Sequence, residues 1–196
     1  MIAIVDYGAG NLNSVKKAFD YLGTNVVVTD QSQTVTAADK IVLPGVGHFS
    51  SLRTLDRTGL RQALLQAAAG GKPFLGICLG MQWLFEGSEE CLEVAGAGIF
   101  SSKCQRFPTS VKSPHVGWNS LRIQEGSLLL RGIPQDSFVY FTHSFYAPVL
   151  PAMSAMSGYG QPFSAAVEQH NIFGVQFHPE KSGDVGLAIL KNFCEV

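Results

Sequence analysis

An open α/β sheet, mostly parallel and covered by helices on both faces, is the fold class this sequence predicts. Three observations predict it. Short apolar runs alternate with stretches of helical periodicity as far as Glu90. Runs such as Ile41-Val42-Leu43 and Phe74-Leu75-Gly76-Ile77 are apolar throughout, which suits strands buried on both faces. Glycine-rich turns stand where strand runs pass into helices, at Gly8, at Gly45 and at Gly80. With 196 residues, 46% of them hydrophobic, the chain suits one compact domain spanning residues 1–196 and is short for two.

In chain order, residues 1–6 form an apolar strand. A glycine-rich loop follows, then a helix with Val15, Ala18, Phe19 and Leu22 on one face. Gly8-x-Gly10 lacks the third glycine of a dinucleotide fingerprint, because position 13 is Asn. Asn11, Asn13 and Ser14 therefore read as a turn with helix caps, or as a surface for a partner. Strands are expected at residues 25–29 and 40–43, helices at 50–56 and 59–69, and a central strand at 73–77 that enters a helix from Leu79. Beyond Glu90 helical periodicity fades. The β-prone runs at 98–101, 117–123, 137–141, 163–168 and 172–177 read as an antiparallel extension and edge of the same sheet. Residues 183–194 close the chain as a helix with Val185, Ala188, Ile189 and Phe193 in one stripe.

Fourteen basic against fifteen acidic residues leave a net charge of -1, which excludes a general nucleic-acid or membrane-surface role. No N-terminal signal pattern and no run of about 18 apolar residues is present, so a cytoplasmic protein is expected. The four cysteines, Cys78, Cys91, Cys104 and Cys194, contain no Cys-x-x-Cys pair, so neither a zinc site nor another metal centre is expected.

Only Cys78 has glycines two residues to either side. Gly76-Ile77-Cys78-Leu79-Gly80 matches the thiol form of a nucleophile elbow, in which a sharp strand-to-helix turn lifts the nucleophile above the sheet. Unpaired N–H groups at the start of a helix favour negative charge on its sulfur. The competing reading is a small buried hydrophobe. The last strand run ends in His178-Pro179-Glu180, where residues i and i+2 share a side of an extended chain, so a carboxylate can steady an imidazole. Cys78, His178 and Glu180 together make a nucleophile, a base and its orienter, against the plainer reading of a capped strand end. An oxyanion needs backbone donors. Leu79 supplies one, and Val46, between Gly45 and Gly47, the other.

Gly76-Ile77-Cys78-Leu79-Gly80-Met81-Gln82, with His178-Pro179-Glu180 and Pro44-Gly45-Val46-Gly47, resembles the class I (triad) glutamine amidotransferases. Four further stretches narrow the resemblance to the glutaminase subunits of imidazole glycerol phosphate synthase: Gly8-Ala9-Gly10-Asn11-Leu12-Asn13-Ser14, His115-Val116-Gly117-Trp118-Asn119, Tyr140-Phe141-Thr142-His143-Ser144-Phe145 and Gln176-Phe177-His178-Pro179-Glu180-Lys181-Ser182. The likeness runs from Ile4 to Phe193. It implies a flavodoxin-like open sheet and hydrolysis of glutamine through a thioester on Cys78, with no cofactor and with ammonia passed to a (β/α)8-barrel cyclase in a heterodimer. It also implies that Gly47, Gln82, Glu90, His143, Ser144 and Phe145 hold glutamine, and that Asn11, Trp118, Tyr140 and Lys181 face the cyclase. Two features depart from the family pattern: Val116, where Met is commoner, and residues 91–96 after Glu90.

Other readings stand beside these. Glu90 lies among Glu86, Glu89 and Glu93, as in a solvated acidic face. Trp118 and Tyr140 also suit core aromatics, and Lys181 a solvated cation. At the level of function the alternatives are a paralogous glutaminase feeding another synthase, such as a sugar amidotransferase, and a non-catalytic scaffold of the same fold.

Overall fold

The computed structural model describes residues 1–196. The first half alternates as its apolar runs predict: β1 (Ile2–Val5), α1 (Leu12–Tyr21), β2 (Val26–Thr29), α2 (Ser32–Ala37), β3 (Lys40–Gly45), α3 (Arg53–Arg57), α4 (Leu60–Ala69), β4 (Phe74–Cys78) and α5 (Leu79–Trp83). The second half runs β5 (Phe85–Ser88), β6 (Phe100–Arg106), β7 (His115–Ser120), β8 (Arg122–Ile123), β9 (Phe138–His143), β10 (Phe145–Tyr146), β11 (Met153–Gly158), β12 (Pro162–Gln169), β13 (Ile172–Val175) and α6 (Gly183–Glu195).

An eight-stranded sheet in the order β2-β1-β3-β4-β13-β12-β11-β8 forms the frame. Its first five strands are parallel, and β12, β11 and β8 add an antiparallel flank. Side chains alternate along each strand, so one run feeds two cores. Ile2, Ile4, Val42, Leu75 and Ile77 join Phe19 of α1 and Phe193 of α6 on one face. Val5, Ile41, Leu43 and Phe74 join Leu60 and Leu64 of α4 on the other. The sheet is thus mostly parallel with helices on both faces, as predicted.

The expected single antiparallel extension is only partly correct. Runs 163–168 and 172–177 enter the main sheet, although 172–177 forms a parallel partner of β4. The run at 98–101 lies in β6, in a separate sheet of order β10-β6-β5, and 137–141 lies in β9, which pairs only with β7. The run at 117–123 divides at the buried Leu121, giving β7 to that ribbon and β8 to the edge of the main sheet. The ribbon does not pair edge-on, because its apolar side has a better use. Phe141 packs edge to face on Phe163 and Phe177, with ring centroids 5.6 and 5.8 Å away. Burial of that face against the sheet makes β7 and β9 a second layer above the carboxyl end of β13. No helix is long and apolar enough to cross a membrane.

Candidate active site

Cys78 ends β4, a strand with parallel neighbours on both sides. Parallel register brings three carboxyl ends together. Gly45 of β3 lies opposite Cys78, and Val175 of β13 lies opposite Ile77, so Val46 and Gly47 emerge on one side of the thiol and Gln176 to His178 on the other. Cys78 itself has φ 53° and ψ -106°, a left-handed conformation that costs a non-glycine residue about 1–3 kcal/mol. The glycines around it explain how the turn is possible. A Cβ on Gly76 would strike the backbone of Gly80, and one on Gly80 would strike the Leu43 carbonyl. Gly45 is pressed in the same way against Leu79 and the buried hydroxyl of Tyr7.

His178 and Glu180 are buried beside the sulfur, with side chains 2% and 1% exposed. The imidazole Nδ1 lies 2.8 Å from Glu180 Oε1. Since the carboxylate accepts, Nδ1 carries a proton in either charge state of the ring, and Nε2 is the nitrogen that takes up or gives back the second. No hydrogen bond occupies Nε2. The backbone around the ring is held as well: His178 donates its N–H to the Tyr140 carbonyl at 2.9 Å, and Ser182 Oγ donates to the His178 carbonyl at 2.6 Å. Burial by itself opposes charge on His178, but the adjacent Cys78 sulfur and the Glu180 carboxylate outweigh it and raise the pKa to about 10. The ring is a strong acceptor for a thiol proton.

A cavity of about 300 Å³ opens on the thiol, large enough for an amino acid. Cys78, Val46 and Leu79 line it, with Gly47, Gln82, Glu90, His143, Ser144 and Phe145. Glu90 is half-buried, while Glu86, Glu89 and Glu93 are exposed, so it is not part of a solvated acidic face. Its carboxylate accepts the Phe49 N–H at 2.7 Å, which points the charge into the cavity wall. Asn11, Trp118, Tyr140 and Lys181 lie outside the cavity. Trp118 is 55% exposed, meets Tyr140 edge to face at 6.1 Å, and Lys181 Nζ stands 5.8 Å from the Tyr140 ring centre. Asn11 precedes α1, which touches the Pro179–Lys181 turn. Trp118 is therefore not a core aromatic.

Several neighbours escaped sequence reasoning. Thr142 and Pro114 complete the cavity wall. A buried chain of donors supports it: Asn119 Nδ2 to His115 Nε2 (3.4 Å), His115 Nδ1 to His143 Nε2 (3.1 Å), and His143 Nδ1 to the Phe145 carbonyl (2.8 Å). Because a carbonyl only accepts, this chain sets both tautomers. Burial pushes His143 down to about 3 and His115 to about 4, so both rings are neutral. Gln176 touches the sulfur itself. The i, i+2 rule that pairs His178 with Glu180, carried one step back, would have found it.

Comparison with known proteins comes to the same place. Residues 3–196 match the family model "Glutamine amidotransferase class-I". The chain is 48% identical over 198 residues to the imidazole glycerol phosphate synthase subunit HisH of Methanothermobacter thermautotrophicus, covering 100% of this chain and 98% of that one. It is 46% identical over 200 residues to the protein of the same name from Moorella thermoacetica, covering 100% and 94%. Among solved structures, one titled as a glutamine amidotransferase superposes with a TM-score of 0.77 at 17% identity, over 99% of this chain and 100% of the other. PurLQS from Thermotoga maritima superposes with a TM-score of 0.75 at 19% identity, over 99% and 97%.

Proposed function

This chain belongs to the class I glutamine amidotransferase family, and on that premise we propose that it is the glutaminase subunit of an imidazole glycerol phosphate synthase, a single domain that hydrolyses glutamine and passes ammonia to a cyclase. The observation that carries this reading is the strained Cys78 beside a Glu180-held His178, at the mouth of an amino-acid-sized cavity, in a chain whose relatives of that name align over its full length.

In the proposed reaction the Cys78 sulfur gives up its proton to His178 Nε2 and attacks the side-chain amide carbon of glutamine. The oxyanion is met by the N–H groups of Leu79 and Val46. Collapse of the tetrahedral adduct breaks the C–N bond, and the proton on His178 goes to the departing ammonia. Water, deprotonated by the same ring, then cleaves the γ-glutamyl thioester and restores the thiol. Glu180 keeps the imidazole in one tautomer throughout. Glu90 receives the substrate's ammonium group, Gln82 and Gly47 hold its body, and the main chain of His143, Ser144 and Phe145 lies alongside.

Ammonia needs a dry route to its consumer. Trp118 pairs with Tyr140 and Val116 with Thr142 across β7 and β9, so these side chains share one face of the ribbon. That face bears the exposed Phe138, Trp118 and Val116 and ends at Thr142 in the cavity wall. It suits a partner that seals the site, here a (β/α)8-barrel cyclase in a heterodimer, with Asn11, Trp118, Tyr140 and Lys181 at the contact. Cys78→Ala is expected to abolish glutamate release while synthesis from added ammonia by the complex continues. Loss of both, in a variant that still binds the cyclase, contradicts the division of labour.

A further inference from the structure

We propose that Gln176 is a catalytic hydrogen-bond donor to the Cys78 sulfur, aimed by Gln82 so that the cavity wall and the nucleophile form one linked unit. This rests on the glutaminase reading of Cys78. Gln176 is fully buried just past the end of β13, between Val175 and Phe177. A primary amide in such a place costs free energy unless its polar atoms are paired, and nothing in the strand requires one there.

Its two ends are paired in a way that leaves no choice of orientation. The Phe145 carbonyl, an obligate acceptor, takes one Nε2 hydrogen of Gln82 at 3.0 Å. The same Nε2 donates to Gln176 Oε1, also at 3.0 Å. Turning the Gln176 amide over would set NH2 against NH2. Its Nε2 therefore faces Cys78 Sγ, 3.6 Å away. Apart from the proton that Cys78 and the adjacent His178 exchange, Gln176 is the hydrogen-bond donor to that sulfur, and the Thr142 carbonyl at 4.0 Å is an acceptor. A donor gains strength as its acceptor gains charge, so Gln176 favours the thiolate over the thiol. Gln82 lines the cavity as well as holding Gln176, so a ligand that displaces its amide disturbs the donor to the nucleophile.

The test is the rate of iodoacetamide alkylation of Cys78 against pH, read by mass spectrometry in wild type, Gln176→Met and Gln176→Glu, together with glutaminase kinetics of each in complex with the cyclase. Gln176→Met keeps the volume and removes the donor; Gln176→Glu puts an acceptor against the sulfur. Both are expected to move the alkylation midpoint up by about one pH unit and to lower kcat about tenfold with KM little changed. An unmoved midpoint in folded Gln176→Met overturns the proposal. If neither variant folds, the side-chain amide resonance of Gln176 in wild type is followed while the thiol titrates. It is expected to shift with the thiol, and not in Cys78→Ala; an amide blind to the titration overturns the proposal equally. Wild type that alkylates normally but releases no glutamate with the cyclase would instead refute the glutaminase reading.

Discussion

At the scale of single residues the site is a set of opposed costs. Cys78 is held at φ 53°, and His178 is buried in a place that by itself disfavours its charge. Interaction with Cys78 and Glu180 reverses the second cost and raises the imidazole pKa from 6.5 to about 10. Because the folded-state pKa lies above the ordinary one, the stabilisation His178 brings is complete below about pH 6.5 and is lost as pH climbs through about 10. Replacing Glu180 by Gln removes one of the two supports. The alkaline limit of glutamate release is then expected to move to lower pH, with a loss in kcat of about a hundredfold. Nuclear magnetic resonance titration of the His178 ring checks this directly, and an unchanged midpoint in Glu180→Gln would refute the role given to the carboxylate. Cys78, His178 and Glu180 were legible in sequence because each sits in a short motif with a geometric meaning. Gln176 stands two residues before His178 and shares its side of the chain, a local signal left unused; the His115–His143 pair has none, since its partners lie 28 residues apart.

Secondary-structure elements carry the second kind of constraint. The elbow works only if α5 and β3 approach β4 without side chains between them. Gly80→Ala is expected to destabilise the chain by about 1–3 kcal/mol, because a Cβ there meets the fixed carbonyl of Leu43 rather than a movable side chain. Thermal unfolding measures it, and an unchanged midpoint would mean the turn has slack. The β7–β9 ribbon gives a different prediction. His115 and His143 have folded-state pKa values of about 4 and about 3, below the ordinary 6.5, so the unfolded chain binds protons that the native chain refuses. Stability is expected to be whole above pH 6.5 and to fall between pH 6.5 and about 4 as His115 and His143 are driven to charge. Replacing His115 by Phe should flatten that limb in chemical denaturation, and an equally steep limb would assign the acid sensitivity elsewhere. Elements with strong apolar periodicity were read correctly. Those missed have weak signals: α2 buries only Val35, β11 is built from Met, Ser, Ala and Gly, and the apolar residues after Leu79 divide between a one-turn helix and β5.

For the whole molecule, the parallel half of the sheet brings Gly45, Cys78 and Val175 to one edge, and the second half folds back over that edge as a ribbon. Four of the five parallel strands, β1 to β4, followed from alternating runs and helices; the fifth, β13, belongs to a run that the sequence assigns to the antiparallel extension. The ribbon did not follow either, because a β-prone run gives no indication of whether it extends a sheet or lies across it. An exposed apolar face begins at Phe138 and ends at Thr142 in the wall of the cavity that holds the Cys78 thiol. The Val46 peptide lies between Gly45 and the unhindered Gly47 at φ 94°, so it has room to turn. Glutamate release by the chain alone and by the chain mixed with a (β/α)8-barrel cyclase and its ligand tests this account most directly. Turnover is expected to be slow alone, to rise about a hundredfold in the mixture as the oxyanion donor is engaged, and to vanish in both for Cys78→Ala. Release of glutamate at the wild-type rate by Cys78→Ala would contradict the account.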